Sequence, residues 1–230
     1  MRTEQKACSV SGLVFVFLIA IHLPAAAEPK GPQSADPEAG GWKLMSQSAS
    51  LTIHSRPHKE AGIQEVKATG QINAAPDVVR RVLEDTDAYT QFMPYVIESR
   101  VVAREGRAVV VYQRLSPPMM KDVDYTMRMR FESYRAEGGG RGQWIRWDAA
   151  EDIGVAEKKK VVRLKVNDGY WLLEPTANEG QTRATYWLHS DCGKAMSPAL
   201  VGIANRTTIP KIFQGVRSQV KREKYSAPNR

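Results

Sequence analysis

Residues 195–225 constrain the fold more than any other stretch of the chain. Apolar residues recur there mostly at three- and four-residue steps, which is the spacing of a long amphipathic helix. The residues that make this stripe are Met196, Leu200, Ile203, Thr207, Ile212, Phe213, Val216 and Val220. A helix of this length cannot bury its apolar stripe alone. We therefore expect it to lie across the open face of a strongly curved sheet.

Most of the chain before this helix has the pattern of β-strands. The predicted strands are residues 50–55, 63–72, 97–104, 108–115, 123–134, 143–148, 161–166, 170–174 and 182–190. Turn-rich links such as Asn167-Asp168-Gly169 separate them, so neighbouring strands should pair antiparallel. A helix opening at Pro76 and a shorter helical piece at 89–93 lie between the second and third strands. We expect one domain, residues 42–225, after a flexible leader (28–41) and before a disordered tail (226–230).

Residues 123–134 have the clearest strand pattern. Alternate residues are apolar, namely Val123, Tyr125, Met127, Met129 and Phe131, and those between them are polar or charged. In a strand this alternation places the two sets on opposite faces, one dry and one in water. Because methionine fills irregular space, the dry face suits either an ordinary core or a cavity.

The first 27 residues have the features of a secretory signal peptide. Arg2 and Lys6 precede a short apolar run at 13–21, and Ala25-Ala26-Ala27 offers a small-residue cleavage site. The run is short for a transmembrane helix, although a retained membrane anchor is the alternative interpretation. After cleavage Cys192 is the one cysteine left, so no intramolecular disulfide can form. We expect a bacterial protein exported to the periplasm, with secretion as the other possibility.

The net charge of +8 favours anionic partners, either an acidic membrane surface or nucleic acid. Basic residues gather in the run Lys158-Lys159-Lys160 and on the last helix at Lys211, Arg217 and Lys221. A solvated surface is the ordinary role of such a run. Nucleic acid is the less favoured partner, because export separates the protein from it and the basic residues are not interleaved with exposed aromatics.

Catalytic and metal-binding motifs are missing from the sequence. The His, Cys, Asp and Glu residues show no ligand spacing typical of zinc or iron sites. There is no nucleophile elbow, phosphate-binding glycine loop or His-Glu-x-x-His helix. His54 and His58 are four residues apart, but Pro57 disfavours a helix that would present both to one metal. A catalytic role for Cys192 has weak support. We expect no catalytic residue, no metal and no cofactor.

The order of these elements resembles the helix-grip fold of the START domains, the steroidogenic acute regulatory protein-related lipid transfer family. The resemblance covers residues 42–225 and rests on short motifs in a fixed order. These are Ala75-Pro76-Asp77-Val78-Val79, Met93-Pro94, Pro117-Pro118, Lys121-Asp122-Val123-Asp124-Tyr125, Gly169-Tyr170-Trp171 and Pro198. Val123 departs from the pattern, because the family usually has arginine there. That departure makes a weakly polar ligand such as a sterol easier to accommodate.

The resemblance implies an α+β fold in which a curved antiparallel sheet wraps around the C-terminal helix, with a hydrophobic cavity between them. A lipid would be held there by burial of apolar surface. We expect the lipid-binding residues to be Tyr125, Met127, Met129, Phe131, Trp147, Val162, Leu164, Trp171, Tyr186, Leu188, Leu200, Ile203, Thr207 and Phe213. Each of them fits an ordinary core equally well. The expected entrance is the loop Pro117-Pro118-Met119-Met120, where the family has a lid, together with Pro210, which should weaken the last helix.

The leading hypothesis is a non-catalytic, monomeric carrier that moves a sterol or phospholipid across the cell envelope and touches anionic membranes transiently. The alternative is a cyclase- or aromatase-like enzyme that uses the same cavity for a polyketide or another aromatic molecule. That enzyme would need His, Arg or Asp side chains that face inward. A third hypothesis is a nucleic-acid or envelope-surface binder recruited by positive charge.

Overall fold

The computed structural model describes residues 40–58, 64–137, 139–191 and 198–226, with the backbone alone for residue 64 and residues 198–204. The strands are β1 (Lys43–Ser48), β2 (Leu51–Pro57), β3 (Gln64–Ile72), β4 (Val96–Glu105), β5 (Ala108–Leu115), β6 (Val123–Arg135), β7 (Arg141–Ala149), β8 (Val162–Arg163), β9 (Val166–Pro175) and β10 (Thr182–Asp191). The helices are α1 (Pro76–Glu84), α2 (Tyr89–Phe92), α3 (Pro198–Gln219) and α4 (Glu223–Ser226), and Thr86–Ala88 forms a 3₁₀ turn.

The strands of the described chain form one sheet. Nine of them follow the order β1-β2-β3-β10-β9-β7-β6-β5-β4, and each neighbouring pair is antiparallel. The two-residue strand β8 lies off this path and pairs parallel to the start of β6. Because β3 pairs with β10, the N-terminal strands β1–β3 join the sheet beside the last strand of the sequence.

Helix α3 packs against one face of this sheet, which we call the inner face. Ile209, Phe213, Val216 and Val220 are buried there in a core that includes strand residues from β2 to β10. The Phe213 ring lies 5.1 Å from the ring of Trp171 in β9. Burying a side chain of this size contributes about 1.5–3 kcal/mol, so these four contacts hold α3 in place.

Polar contacts fix the C-terminal end of α3 and the residues after it. Arg217 donates from Nε to the carbonyl oxygen of Gln71 (2.9 Å) and from Nη2 to that of Ser50 (2.7 Å). Tyr225 in α4 donates its hydroxyl proton to Asp85 at the end of α1 (2.8 Å). The C-terminal half of α3 is therefore tied both to the sheet and, through α4, to α1.

A buried ion pair attaches the segment after β7 to the outer face of the sheet. The Asp124 side chain is 1% exposed and accepts hydrogen bonds from Arg163 Nε (2.7 Å) and from the Tyr112 hydroxyl (3.0 Å). Arg163 also donates to the carbonyl oxygen of Val155 (2.9 Å). These bonds hold β8 beside β6.

The structure changes several details of the sequence-based prediction. Residues 161–166 were expected to form one strand, but β8 covers two of them and β9 begins at Val166. Asn167-Asp168-Gly169 lies inside β9 and not in a turn. Glycine is required at 169 because a Cβ there would overlap the Trp147 ring and lie 2.6 Å from the Trp187 carbonyl oxygen. Strand β1 was not predicted, because its largely exposed residues lack alternation.

The ends of the chain lie largely outside the described residues. This is true of the expected signal peptide and of nearly all of the leader, and for the tail the structure describes Ser226 alone, which belongs to α4. Within the described residues, no helix combines the length and apolarity needed to cross a membrane.

Gly215 offers a test of how α3 docks. A Cβ at this position would overlap the carbonyl oxygen of Phe92, so Gly215→Ala must push α3 away from α2. In a free helix the same change stabilises by about 1 kcal/mol, whereas a forced shift in a packed core typically costs about 1–3 kcal/mol. We expect a net loss of about 1 kcal/mol in urea unfolding. Ser218→Ala, at an exposed position of the same helix, is the control and should not destabilise. A gain in stability from Gly215→Ala would contradict the contact.

The buried ion pair predicts an unequal effect of two arginine substitutions. Arg163→Leu leaves the Asp124 carboxylate buried without its charged partner, so we expect a loss of about 3 kcal/mol. Arg183→Leu removes the partner of Glu174 in a pair whose arginine is half exposed, so its loss should stay below about 1 kcal/mol. Urea unfolding of both variants measures the difference. Equal losses would show that the buried pair is not what holds β8.

Candidate ligand-binding cavity

A cavity of about 220 Å³ lies between the inner face of the sheet and α3. Space for one water molecule requires only about 10–15 Å³ by a comparable measure, so this is no packing defect. Strands β4–β7, β9 and β10 contribute to its wall, together with α3, α2 and the turn that follows α2. The cavity adjoins the buried core, and Met127, Met129, Trp147, Trp171 and Tyr186 belong to both.

The alternation of β6 explains why that strand supplies much of the wall. Val123, Tyr125, Met127 and Met129 all line the cavity, while Asp124 between them points to the outer face and pairs with Arg163. Tyr186 and Leu188 of β10 follow the same two-residue period on the opposite side. Strands β6 and β10 thus each present a row of apolar side chains to the cavity.

Eight of the residues predicted to bind lipid lie at the cavity wall. They are Tyr125, Met127, Met129, Trp147, Leu164, Trp171, Tyr186 and Leu188. Three aromatic rings among them pack together: Trp171 and Tyr186 at 4.8 Å, and Trp147 and Tyr186 at 5.9 Å. Their position at the cavity is observed, and their contact with a ligand stays a prediction.

Four predicted residues do not line this cavity. Phe131 lies near the far end of β6, where the Arg80 guanidinium sits 6.0 Å from its ring. Phe213 is fully buried in the core. Val162 belongs to β8, whose parallel pairing sets it apart from the regular strand that the sequence pattern indicated. Thr207 is exposed on α3, and Thr208 faces the cavity in its place.

The wrong assignment of Thr207 has a simple geometric cause. The step from Thr207 to Ile212 is five residues, which turns about 140° around a helix of 3.6 residues per turn. Thr207 therefore cannot share a face with Ile212, whereas Thr208, four residues before it, can. Leu200 and Ile203 fall in the segment of α3 whose side chains are not described.

Part of the expected entrance lines the cavity. Pro117 and Met120 line it, while Pro118 is exposed and Met119 is fully exposed at the tip of the loop. Met119 has a φ of 60°, in the left-handed region that is strained for most residues. Pro210 is exposed, and α3 continues through it as one helix. Its role as a point of flexing stays a prediction.

The polar residues of the wall were missed by the sequence analysis. Gln113, Asn167, Ser190 and Asn205 all face the cavity, as does Tyr95 in the turn after α2. In the β5 sequence, Gln113 follows Val109 and Val111 at two-residue steps, and that period was the available signal for its inward position. The turn carries no such period, and Tyr95 reaches the cavity with a φ of 64°.

The cavity is electrically neutral along its whole described wall. No Asp, Glu, Lys, Arg or His is among the described residues that line it. Two of its tyrosine hydroxyls are held by hydrogen bonds. Tyr89 donates to the carbonyl oxygen of Leu83 (2.7 Å), and Tyr125 donates to Gln113 Oε1 (2.7 Å). Burial raises the pKa of Tyr89, Tyr125 and Tyr186 above the ordinary value, so the three hydroxyls stay protonated at neutral pH. Nor do the described residues bring together three His, Cys, Asp or Glu side chains that could hold a metal ion.

Solved structures with the same architecture are known. A STAR-related lipid transfer protein from Xanthomonas axonopodis is 24% identical, with a TM-score of 0.68 over 79% of this chain and 99% of that one. Human StAR-related lipid transfer protein 5 is 15% identical, with a TM-score of 0.69 over 80% and 88%. Human STARD10 is 16% identical, with a TM-score of 0.66 over 87% and 84%.

Comparison by sequence alone gives no such match. No family model matches the chain, and no functionally characterised protein matches it by sequence. At sequence identities of 15–24%, the structural similarity shows a shared fold. It confirms the α+β helix-grip architecture that the sequence predicted: the chain has the fold of the START-related lipid transfer domains.

Proposed function

We propose that this protein is a non-catalytic lipid-binding protein that holds a hydrophobic ligand between its sheet and α3. The observation that carries the proposal is the cavity itself, an apolar space walled by methionines and aromatic rings without a charged side chain among its described residues. Burial of apolar surface alone supplies binding energy there, at about 0.8 kcal/mol for each CH₂ group removed from water. The names of the structural neighbours as lipid transfer proteins agree with this role.

The rival hypothesis, a cyclase-like enzyme, requires a general base, and the described residues that line the cavity include no Asp, Glu, His or Lys. Acid–base catalysis of ring closure needs a group with a pKa near the working pH. Of the titratable groups at the described wall, Tyr89, Tyr125 and Tyr186 have pKa values raised by burial, which leaves them protonated. The neutral wall therefore favours binding over catalysis.

The surface around the cavity mouth suits brief contact with a membrane. Met119 is fully exposed beside Met120, which lines the cavity, so an apolar tip stands at the entrance. Lys211 donates to the Tyr95 hydroxyl (2.8 Å), and Tyr95 also lines the cavity, which puts a positive charge at the same mouth. An apolar tip flanked by a cation fits the surface of an anionic bilayer.

Arg217 does not belong to the proposed membrane surface. Its guanidinium is committed to the carbonyl oxygens of Gln71 and Ser50, so it serves the fold. Lys211 and Lys221 are exposed and keep that role. Together with the signal-like first 27 residues, these exposed lysines support the proposal of an exported carrier that moves lipid across the cell envelope. That the carrier is a monomer stays a prediction.

Lipid uptake tests the entrance. The double variant Met119→Glu, Met120→Glu places two charges at the mouth, so we expect slower uptake of fluorescent lipid from vesicles and an unchanged melting temperature. Leu44→Glu, which alters an exposed apolar residue on β1, is the matched control and should leave uptake unaffected. Uptake rates equal to the parent protein would rule out this loop as the entrance.

Salt and charge reversal test the membrane contact. We expect binding to liposomes with anionic headgroups to fall in high salt, because screening shortens the reach of surface charges. Lys211→Glu should weaken binding by about 30-fold, since each basic residue near such a surface contributes about 1 kcal/mol and charge reversal doubles the change to about 2 kcal/mol. Lys159→Glu, an equal charge change at another exposed position, should have a smaller effect. Liposome co-sedimentation measures both, and equal effects would point to net charge alone.

A further inference from the structure

A chain of hydrogen bonds leads from the cavity wall into the protein. The hydroxyl of Tyr125 lies 2.7 Å from Gln113 Oε1, Gln113 Nε2 lies 3.1 Å from Ser99 Oγ, and Ser99 Oγ lies 2.7 Å from the carbonyl oxygen of Thr86. Tyr125 and Gln113 both line the cavity. Gln113 is 2% exposed and Thr86 is also buried, so water does not compete for these bonds.

The acceptor at the far end of this hydrogen-bond chain, the carbonyl oxygen of Thr86, determines which group donates in each bond. A carbonyl oxygen can only accept, so Ser99 must donate its proton to Thr86. Ser99 Oγ then accepts from Gln113, which requires the amide nitrogen on that side and leaves the amide oxygen facing Tyr125. Tyr125 must therefore donate its one proton to Gln113. What its oxygen offers to the cavity is a lone pair, that is, an acceptor.

The cavity also contains a hydroxyl that is not committed in this way. Tyr186 lines the wall across from β6, and no hydrogen bond joins its hydroxyl to another residue that the structure describes. It can donate to a ligand. The wall thus has an acceptor at Tyr125 and a donor at Tyr186, besides the amides and hydroxyls of Asn167, Ser190, Asn205 and Thr208, and none of its described residues carries a charge.

We infer that the cavity selects an uncharged lipid with a free hydroxyl group, whose O–H donates to the oxygen of Tyr125; this inference rests on the proposed lipid-binding function. A hydroxyl both donates and accepts, so it can use both of these groups. A ketone or ester oxygen only accepts, so it can use Tyr186 but meets another acceptor at Tyr125. A phosphate or carboxylate would enter a wall without a described cation, which carries a large desolvation penalty.

Competition binding with four probes tests the inference on the full mature chain. The probes are cholesterol, its ketone analogue cholestenone, hexadecanol and phosphatidylcholine, each competing with a fluorescent lipid. We expect both alcohols to bind. The ketone should bind about 5-fold more weakly than its alcohol, since a net hydrogen bond is worth about a factor of 2–13 in affinity. Phosphatidylcholine should not compete, because its phosphate would be desolvated.

A variant assigns the difference to one atom. Tyr125→Phe removes the acceptor, so the alcohols should lose about 5-fold in affinity while cholestenone changes little. Tyr134→Phe, which removes a hydroxyl from the separate cluster around Trp144 on the outer face, is the control and should change neither. Melting temperatures verify folding, and if Tyr125→Phe does not fold, the alcohol-to-ketone ratio of the parent protein decides.

The possible outcomes distinguish the preference for a hydroxyl group from the proposed lipid-binding function. Equal binding of alcohol and ketone, or equal weakening of both in Tyr125→Phe, would overturn the hydroxyl preference. Preferred binding of phosphatidylcholine would overturn the neutral-ligand inference and leave lipid binding intact. Binding of no probe, with no lipid extracted from protein purified from its own source, would overturn both.

Discussion

The docking of the C-terminal half of α3 on the sheet is the contact on which the rest of the molecule depends. Phe213 and Val216 enter the core, and Arg217 holds two backbone carbonyls of the β2–β3 region. These contacts set the distance between helix and sheet at one end. Towards the other end, Asn205 and Thr208 border the cavity. Helix α3 therefore contributes to both the core and the cavity wall, and Ile212 lines the cavity within the same stretch that supplies Ile209 and Phe213 to the core.

Charge is handled differently on the two faces of the sheet. The outer face carries paired ions, such as Arg163 with the buried Asp124 and Arg128 with Glu105. The inner face carries none at the described cavity wall, and its polar groups are amides and hydroxyls. The strict alternation of β6 produces this separation, because each step along the strand changes the face. An apolar cavity wall and a charged outer surface can then share one strand.

The sequence predicts the fold because its periods are regular over long stretches. The alternation in β6 and the punctuation of α1 by Pro76 and Asp85 correspond to observed elements. The failures occur where tertiary contacts decide. Gly169 signals a turn by composition, but it is needed beside Trp147 inside a strand. The polar part of the cavity was missed because Gln113 is held by Ser99 and Tyr125, partners that only the folded sheet brings together.

Trp171 belongs to the cavity wall and also touches Phe213, the fully buried aromatic residue of α3. A ligand that packs on one side of this indole supports the same ring that supports the helix on the other. Binding free energy and folding free energy are therefore linked through a single side chain, and occupancy adds to stability by mass action. A ligand bound in this cavity therefore raises the free energy of unfolding, and its release lowers it again.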